Sequence, residues 1–249
     1  MKNIILILIM SISINGCVAP EKKDGLEWSK LPNIPDKIGF AGSFAGVADG
    51  ALIVAGGANF PDGGAPWTGS KKAWTDQVFI LTAENSNWIT TEKLPLKLGY
   101  GASVNWKNSL IILGGSNEDG HQKQVYKLNY KEGKLELKNL PDLPNMIANT
   151  CAILLNDVLY VMGGITTADA KTTSNNFWAL DLSDKNANWQ TLPSWPGKSR
   201  MLSVAGTDEK ATYLLSGVEL INGQRHYLKD GFKYVPQKGW EQKRDLPSA

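Results

Sequence analysis

An apolar run that ends in a glycine pair, Ala51-Leu-Ile-Val-Ala-Gly-Gly57, decides the fold of this chain because it recurs three more times. The later copies are Leu110-Ile-Ile-Leu-Gly-Gly115, Val158-Leu-Tyr-Val-Met-Gly-Gly164 and the degenerate Thr212-Tyr-Leu-Leu-Ser-Gly217. Their last glycines follow one another at intervals of 58, 49 and 53 residues. A period near 50 residues indicates a repeated unit of several strands.

This period and the glycine pair are typical of kelch-type β-propeller blades, each of which is a four-stranded antiparallel sheet. In each repeat a stretch of small residues precedes the apolar run, an alternating segment follows it, and a strand ending in Leu-Pro closes the unit. Proline ends an outer strand because it cannot donate to the sheet. The sequence therefore predicts an all-β propeller with four blades, at 41–95, 100–144, 148–196 and 200–248.

A further outer strand, Trp28-Ser-Lys-Leu-Pro32, precedes the first blade without inner strands of its own. In a closed propeller such a strand completes the last blade, but here the chain reaches Ala249 directly after a fourth strand. We therefore expect the domain, residues 26–249, to be truncated at its C-terminal end by about two blades. The alternative is a four-bladed ring with a stray N-terminal strand.

The first 17 residues predict export. Lys2 precedes a short apolar core, Ile4–Met10, that is too short to span a membrane. Ile14-Asn-Gly-Cys17 resembles a bacterial lipobox, so we expect lipidation of Cys17, with 18–25 as a tether. The predicted location is the periplasm, on a lipid anchor in the outer membrane. The alternative is an ordinary signal peptide in which Cys17 is incidental.

Composition excludes several classes of function. The chain has 26 basic and 24 acidic residues, and no basic run is mixed with aromatic residues, so nucleic acid is not an expected partner. With only His121 and His226 we expect no histidine-rich metal site, and nothing indicates an organic cofactor. Cys151 lies in an apolar strand and is expected to be a buried small hydrophobic residue. The oligomeric state is left open.

The connections between strands two and three predict where a ligand binds. They are long and share one mouth of the channel, which favours a binding site there. Their predicted ranges are 58–76, 116–123, 165–175 and 218–230. Glu219 follows the last apolar run, and the turn Asn222-Gly223 can fold Arg225 back towards it. A partly buried glutamate can act as a general base, and an arginine can hold a carboxylate. The alternative is a salt bridge at the loop surface.

The first of these connections, 58–76, is aromatic and basic. Trp67 and Trp74 could stack on a sugar ring, or they could fold the loop onto its neighbours. The candidate substrate-binding residues are Asn59, Trp67, Lys72, Trp74, Tyr100, Asn149 and Arg200.

Two stretches carry a resemblance to a known family. They are Gly42–Phe60, which ends in Gly-Gly-Ala-Asn-Phe before Pro61, and Tyr100–Gly115, which contains Trp-Lys-Asn-Ser-Leu. The chain resembles the sialic-acid (N-acetylneuraminate) mutarotases, also called epimerases, which are six-bladed kelch propellers of bacterial periplasms. It is most similar to their cyclically permuted branch, in which a late blade comes first.

The resemblance implies that Glu219 and Arg225 are the catalytic pair, because the family has a glutamate after a strand two and an arginine six residues later. It also implies that the protein interconverts the α and β anomers of a free sugar acid without a cofactor. Two alternatives stay open from the sequence. One is a non-catalytic propeller that binds a glycan or a protein at the loop face, and the other is a copper oxidase built on kelch blades.

Overall fold

A computed structural model describes residues 27–82, 87–90 and 92–248. The predicted signal segment, Cys17 and the tether lie outside these residues. The chain divides into Met1–Leu31 and Pro32–Ala249. In the first unit, residues 27–31 form no strand and Trp28 is 89% exposed. The predicted outer strand is thus not formed in the described residues.

The second unit contains four four-stranded antiparallel sheets, which confirms the prediction of four propeller blades. Blade 1 consists of β1 (Phe44–Ala48), β2 (Ala51–Ala55), β5 (Val78–Leu81) and β6 (Ile89–Thr90), with β3 (Ala58–Asn59) and β4 (Ala73–Trp74) paired above it. Blade 2 consists of β7 (Ala102–Trp106), β8 (Ser109–Leu113), β11 (Val125–Lys131) and β12 (Lys134–Leu140), with β9 (Ser116–Asn117) and β10 (Gly120–His121) as the added pair.

Blades 3 and 4 follow the same order. Blade 3 consists of β13 (Cys151–Leu155), β14 (Val158–Met162), β15 (Phe177–Asp181) and β16 (Gln190–Thr191). Blade 4 consists of β17 (Val204–Thr207), β18 (Thr212–Ile221), β19 (Gln224–Val235) and β20 (Gly239–Lys243). The helical structure in the described residues is one 3₁₀ turn, Pro66–Thr68. No described helix is both long enough and apolar enough to cross a membrane.

The hydrophobic core lies between the blades. Each of three buried clusters joins the facing sheets of consecutive blades, and the inner strands β1, β7, β13 and β17 contact one another in series. Burial of these faces is the main force that holds a propeller together, because one blade cannot cover its own sheet. Cys151 belongs to the third cluster, as expected, and burial raises the pKa of its thiol to about 12.

The glycine pairs connect each blade to the next. Gly163 and Gly164 have φ of 64° and 112°, in the left-handed region that favours glycine. A Cβ on Gly163 would lie 2.3 Å from the backbone oxygen of Arg200, and the N–H of Gly164 donates to that same oxygen over 2.8 Å. The pair is therefore required by backbone conformation and by close contact between blades.

Indole side chains form a second connection between blades. The Nε1–H groups of Trp88, Trp189 and Trp240 donate over 2.8–2.9 Å to the carbonyl oxygens of Pro32, Pro141 and Pro193, respectively. Each acceptor is the proline of a Leu-Pro pair. For Trp189 and Trp240 that proline ends the outer strand of the preceding blade. For Trp88, in the first blade, Pro32 provides the equivalent carbonyl.

Blade 4 departs from the predicted loop at 218–230. Strands β18 and β19 continue past the glycine pair as one long hairpin that turns at Asn222-Gly223. Ser216 replaces the first glycine yet has φ of 57°, and a register shift at Leu215/Gly217 marks a bulge. Ser216 thus keeps the left-handed conformation of the glycine that it replaces. The strand continues past it through the bulge and does not end at this position.

Candidate functional site

A row of left-handed residues lies where the innermost strands begin. Gly42, Tyr100, Asn149 and Leu202 occupy equivalent positions in the four blades and have φ of 67°, 61°, 55° and 56°. Each N–H after the first donates to the carbonyl of the preceding member, over 2.8, 2.8 and 2.9 Å. Non-glycine residues in this region cost free energy, so the blade contacts must hold them there.

A cavity of about 690 Å³ opens over this row. Its volume falls in the range of pockets that bind small molecules. It is lined by residues from all four blades, and these are Phe60, Pro66, Ser70, Lys72, Trp74, Tyr100, Ser116, His121, Ala148, Asn149, Ile165, Ala168, Met201, Leu202 and Arg225. The predicted candidates Lys72, Trp74, Tyr100, Asn149 and Arg225 are thus brought together.

Lys72 is held by aromatic rings. Its Nζ lies 4.6 Å from the ring centre of Tyr100, 5.7 Å from that of Trp74 and 6.0 Å from that of Phe60. It also donates to the Tyr100 hydroxyl over 3.2 Å. Aromatic faces attract a cation without neutralising it. Lys72 therefore presents a positioned positive charge to the cavity.

The cavity is cationic. Its charged lining residues are Lys72 and Arg225, and no aspartate or glutamate is among the described residues that line it. Neither cation belongs to a salt bridge within the described part of the chain. An anionic ligand would gain from both charges.

Two further polar side chains reach the cavity without hydrogen-bond partners among the described residues. They are the indole N–H of Trp74 and both ring nitrogens of His121. His121 is 6% exposed, and burial lowers the pKa of its imidazole. A contact with the Thr167 backbone that lies outside hydrogen-bond geometry opposes this effect. Burial therefore favours the neutral form of the ring.

Glu219 and Arg225 do not face each other. The turn at Asn222-Gly223 forms as predicted, but the register pairs Arg225 with Leu220 and Glu219 with His226. Directly paired residues share a face of a sheet, so Glu219 lies on the face opposite to Arg225. The face of Arg225 is also that of the buried Leu220, and it is turned to the cavity.

Arg200 is placed in the core rather than in the cavity. It is fully buried, and its guanidinium donates to both carboxylate oxygens of Asp230 over 2.8 and 2.9 Å. It also donates to the carbonyls of Lys198 and Ser216, each over 3.0 Å. The predicted substrate contact is thus corrected, because these bonds leave the side chain no surface for a ligand.

The two remaining candidates lie outside the main cavity. Asn59 lines a neighbouring cavity of about 470 Å³, which shares Phe60, Lys72 and Tyr100 with the first. Its side-chain amide donates to the carbonyl of Gly39 over 3.0 Å. Trp67, in the 3₁₀ turn, is 88% exposed and lines neither of these cavities.

Sequence reasoning missed several lining residues. Leu202 could have been found, because it follows Tyr100 and Asn149 at the spacing of the glycine pairs. His121 gave no such signal, since only the β9–β10 pair turns it inward. Within the described ranges no group of three or more His, Cys, Asp or Glu side chains is arranged to hold a metal ion.

Comparison with known proteins identifies the family. The family model described as N-acetylneuraminate epimerase matches residues 18–137 and 140–246. The chain belongs to the N-acetylneuraminate epimerase family. This membership confirms the resemblance to the sialic-acid epimerase family that was seen in the sequence.

Individual relatives match part of this family member. An N-acetylneuraminate epimerase of Haemophilus influenzae (strain 86-028NP) is 32% identical over 123 residues, which are 44% of this chain and 32% of the relative. N-acetylneuraminate epimerase 1 of Escherichia coli O6:H1 is 35% identical over 116 residues, 43% of this chain and 31% of the relative. The matched part of the chain thus spans about a third of the length of these curated relatives.

A solved structure, "Structure of YjhT", superposes with a TM-score of 0.75 at 12% identity. The superposition covers 91% of this epimerase-family chain and 76% of the other. At this identity the likeness shows the shared propeller fold.

Proposed function

We propose that the protein interconverts the α and β anomers of free N-acetylneuraminate or a closely related sugar acid, and that it does so in the cavity over the left-handed row. The observation that carries the proposal is membership of the N-acetylneuraminate epimerase family, matched over 18–137 and 140–246. The named relatives support the same substrate class.

The chemistry of the cavity supports an acidic sugar. Arg225 offers a planar guanidinium that can hold a carboxylate through two hydrogen bonds. Lys72 adds a second positive charge from blade 1, fixed by its aromatic neighbours. Trp74 and Tyr100 line the same space with aromatic surface, which suits contact with a sugar ring.

Anomer exchange needs proton transfer in addition to binding. A base must remove the proton of the anomeric hydroxyl, the ring C–O bond must break, and the ring oxygen must receive a proton before closure on the other face. The sequence predicts Glu219 for this work. Because Glu219 lies on the hairpin face opposite to Arg225, its role stays a prediction that a Glu219→Gln variant tests.

The expected activity is acceleration of an exchange that also occurs in water. Anomer-resolved proton NMR on freshly released α-N-acetylneuraminate should show faster approach to equilibrium when purified protein is added. Arg225→Gln should lower kcat/KM by about 10–100-fold, because a charge-assisted hydrogen bond contributes about 1.5–3 kcal/mol. Lys185→Gln, outside the cavity, is the matched control and should not change the rate. An unchanged rate with folded wild-type protein would contradict the proposed function.

We also propose that the protein is exported and lipid-anchored through Cys17. The support is the order of Lys2, the apolar stretch Ile4–Met10 and the Ile14–Cys17 motif. In cells fed a labelled fatty acid, wild-type protein should carry label and fractionate with the outer membrane, and Cys17→Ser should lose the label. Equal labelling of both proteins would contradict the anchor.

We further infer that the blades follow the permuted order of one branch of the family, because Gly42–Phe60 resembles a late blade of the unpermuted enzymes. A blade-by-blade comparison with an unpermuted member tests this order. Correspondence of the first blades in the two chains would contradict it.

A further inference from the structure

A second cavity adjoins the cavity over the left-handed row, which we call the main cavity. The second cavity has a volume of about 470 Å³ and the main cavity one of about 690 Å³, and Phe60, Lys72 and Tyr100 line both. Each volume falls within the range of about 300–1,000 Å³ that is typical of a site for one small molecule. The two cavities together therefore offer room for a ligand longer than a single sugar acid.

Backbone and amide contacts fix the walls of the second cavity to blade 1. It is formed by the chain that precedes β1 and by the loop that follows β3. Ala41 and Ala58 exchange two backbone hydrogen bonds, over 2.8 and 2.9 Å. The side-chain amide of Asn59 donates to the carbonyl of Gly39 over 3.0 Å. These bonds join the two segments that form the cavity.

The lining of the second cavity suits a sugar that carries a negative charge. Phe40, Phe60 and Tyr100 supply aromatic surface, and Asn59 supplies an amide group. Lys72 is its charged lining residue, and no aspartate or glutamate of the described part of the chain lines it. The second cavity is thus cationic, like the main one.

The nearest carboxylates in sequence bond to the backbone. Asp36 accepts from the N–H of Gly39 over 2.7 Å, and Asp62 accepts from the N–H of Gly64 over 3.0 Å. Neither carboxylate lines the second cavity. Because Lys72 belongs to no salt bridge within the described ranges, its ammonium can pair with a carboxylate of a ligand.

The two cations serve different parts of this double site. Arg225 lines the main cavity alone, whereas Lys72 lies in the wall that both cavities share. One sugar acid has one carboxylate, which can pair with one of the two cations at a time. A ligand with two carboxylates, one in each cavity, can pair with both of them.

We propose that the protein also acts on short oligomers of the sugar acid, at the unit that has a free anomeric carbon. The proposal rests on the proposed function. The reacting unit lies in the main cavity with its carboxylate on Arg225, and the next unit lies in the second cavity with its carboxylate on Lys72. The ring C–O bond of the reacting unit breaks and re-forms. One proton leaves the anomeric hydroxyl, one reaches the ring oxygen, and closure reverses both transfers, so the bond between the units stays intact.

The test compares N-acetylneuraminate with its α2,8-linked dimer, in which one unit keeps a free anomeric carbon. Proton saturation transfer between the two anomers, at several sugar concentrations, gives kcat/KM for each sugar. Wild-type protein should exchange the dimer with a kcat/KM about 10–100-fold above that of the monomer, as one more charge-assisted hydrogen bond implies. Lys72→Gln should remove most of this ratio. Arg225→Gln should lower both values and keep the ratio, and Lys71→Gln, an exposed neighbour that lines neither cavity, should match wild type.

Ala41→Leu tests the second cavity without removing a charge. Ala41 is exposed and lines the second cavity but not the main one. The larger side chain should therefore lower kcat/KM for the dimer and leave that of the monomer unchanged. This variant decides the question if Lys72→Gln does not fold.

Two results would overturn the proposal. One is a wild-type protein that exchanges the monomer and exchanges the dimer no faster. The other is a preference for the dimer that survives either Lys72→Gln or Ala41→Leu. A folded wild-type protein that exchanges neither sugar contradicts the proposed function instead.

Discussion

Replacing Arg200 by alanine is expected to lower the free energy of unfolding by about 3–5 kcal/mol. The side chain is fully buried and bonded to both oxygens of Asp230. Its loss leaves a partly buried carboxylate without a partner, together with a cavity. Urea unfolding followed by tryptophan fluorescence measures the change.

The other blades suggest the matched control. Leu98 and Ile147 occupy the position of Arg200, since their carbonyls likewise accept from a glycine of the preceding blade. Gln77 and Gln124 occupy the position of Asp230. They come directly before the first paired residues of β5 and β11, just as Asp230 comes directly before Gly231 of β19. The double variant Arg200→Leu/Asp230→Gln should therefore recover most of the loss.

Lys97→Gln, which removes an exposed ion pair with Glu118, should cost less than about 1 kcal/mol. Equal effects of Arg200→Ala and Lys97→Gln would show that the buried pair does not stabilise the fold.

Gly163→Ala is expected to cost about 2–5 kcal/mol. A left-handed backbone contributes about 1–2 kcal/mol of this for a residue with a Cβ. The remaining 1–3 kcal/mol, approximately, comes from overpacking, because the new methyl group would lie 2.3 Å from the Arg200 oxygen. The same denaturant measurement applies.

Gly50→Ala separates the cost of the left-handed backbone from the cost of overpacking. Gly50 has φ of 77°, but a Cβ there would meet nothing within 4 Å. Its replacement should cost about 1–2 kcal/mol, from backbone conformation alone. Equal losses for the two variants would contradict the conclusion that the glycine pair is required by contact between blades.

Much of the fold could be predicted because its signal is repeated. Three glycine pairs and the degenerate Ser216-Gly217 recur at a period near 50 residues and predict four blades, and the four observed sheets agree. The hairpin of blade 4 could not be predicted in the same way. Ser216 adopts the conformation of the glycine that it replaces, and a bulge lets the strand continue. Local sequence alone does not reveal whether the strand ends at Ser216 or continues through a bulge.

The site was predictable only in part. A two-residue turn at Asn222-Gly223 makes residues 220 and 225 neighbours, so the opposite faces of Glu219 and Arg225 followed from the turn already inferred. Burial of Arg200 was harder to predict from the sequence, because its partner Asp230 lies 30 positions away in the chain. The orientation of His121 depends on packing between loops of different blades, which no local pattern encodes.

The central claim is that the cationic cavity binds the sugar acid for anomer exchange, and an experimental structure with N-acetylneuraminate bound tests it most directly. The carboxylate should lie within hydrogen-bonding distance of Arg225 or Lys72, and the sugar ring should lie beside Trp74 and Tyr100. A sugar bound on the Glu219 face of the hairpin, with this cavity empty at saturating sugar, would contradict it.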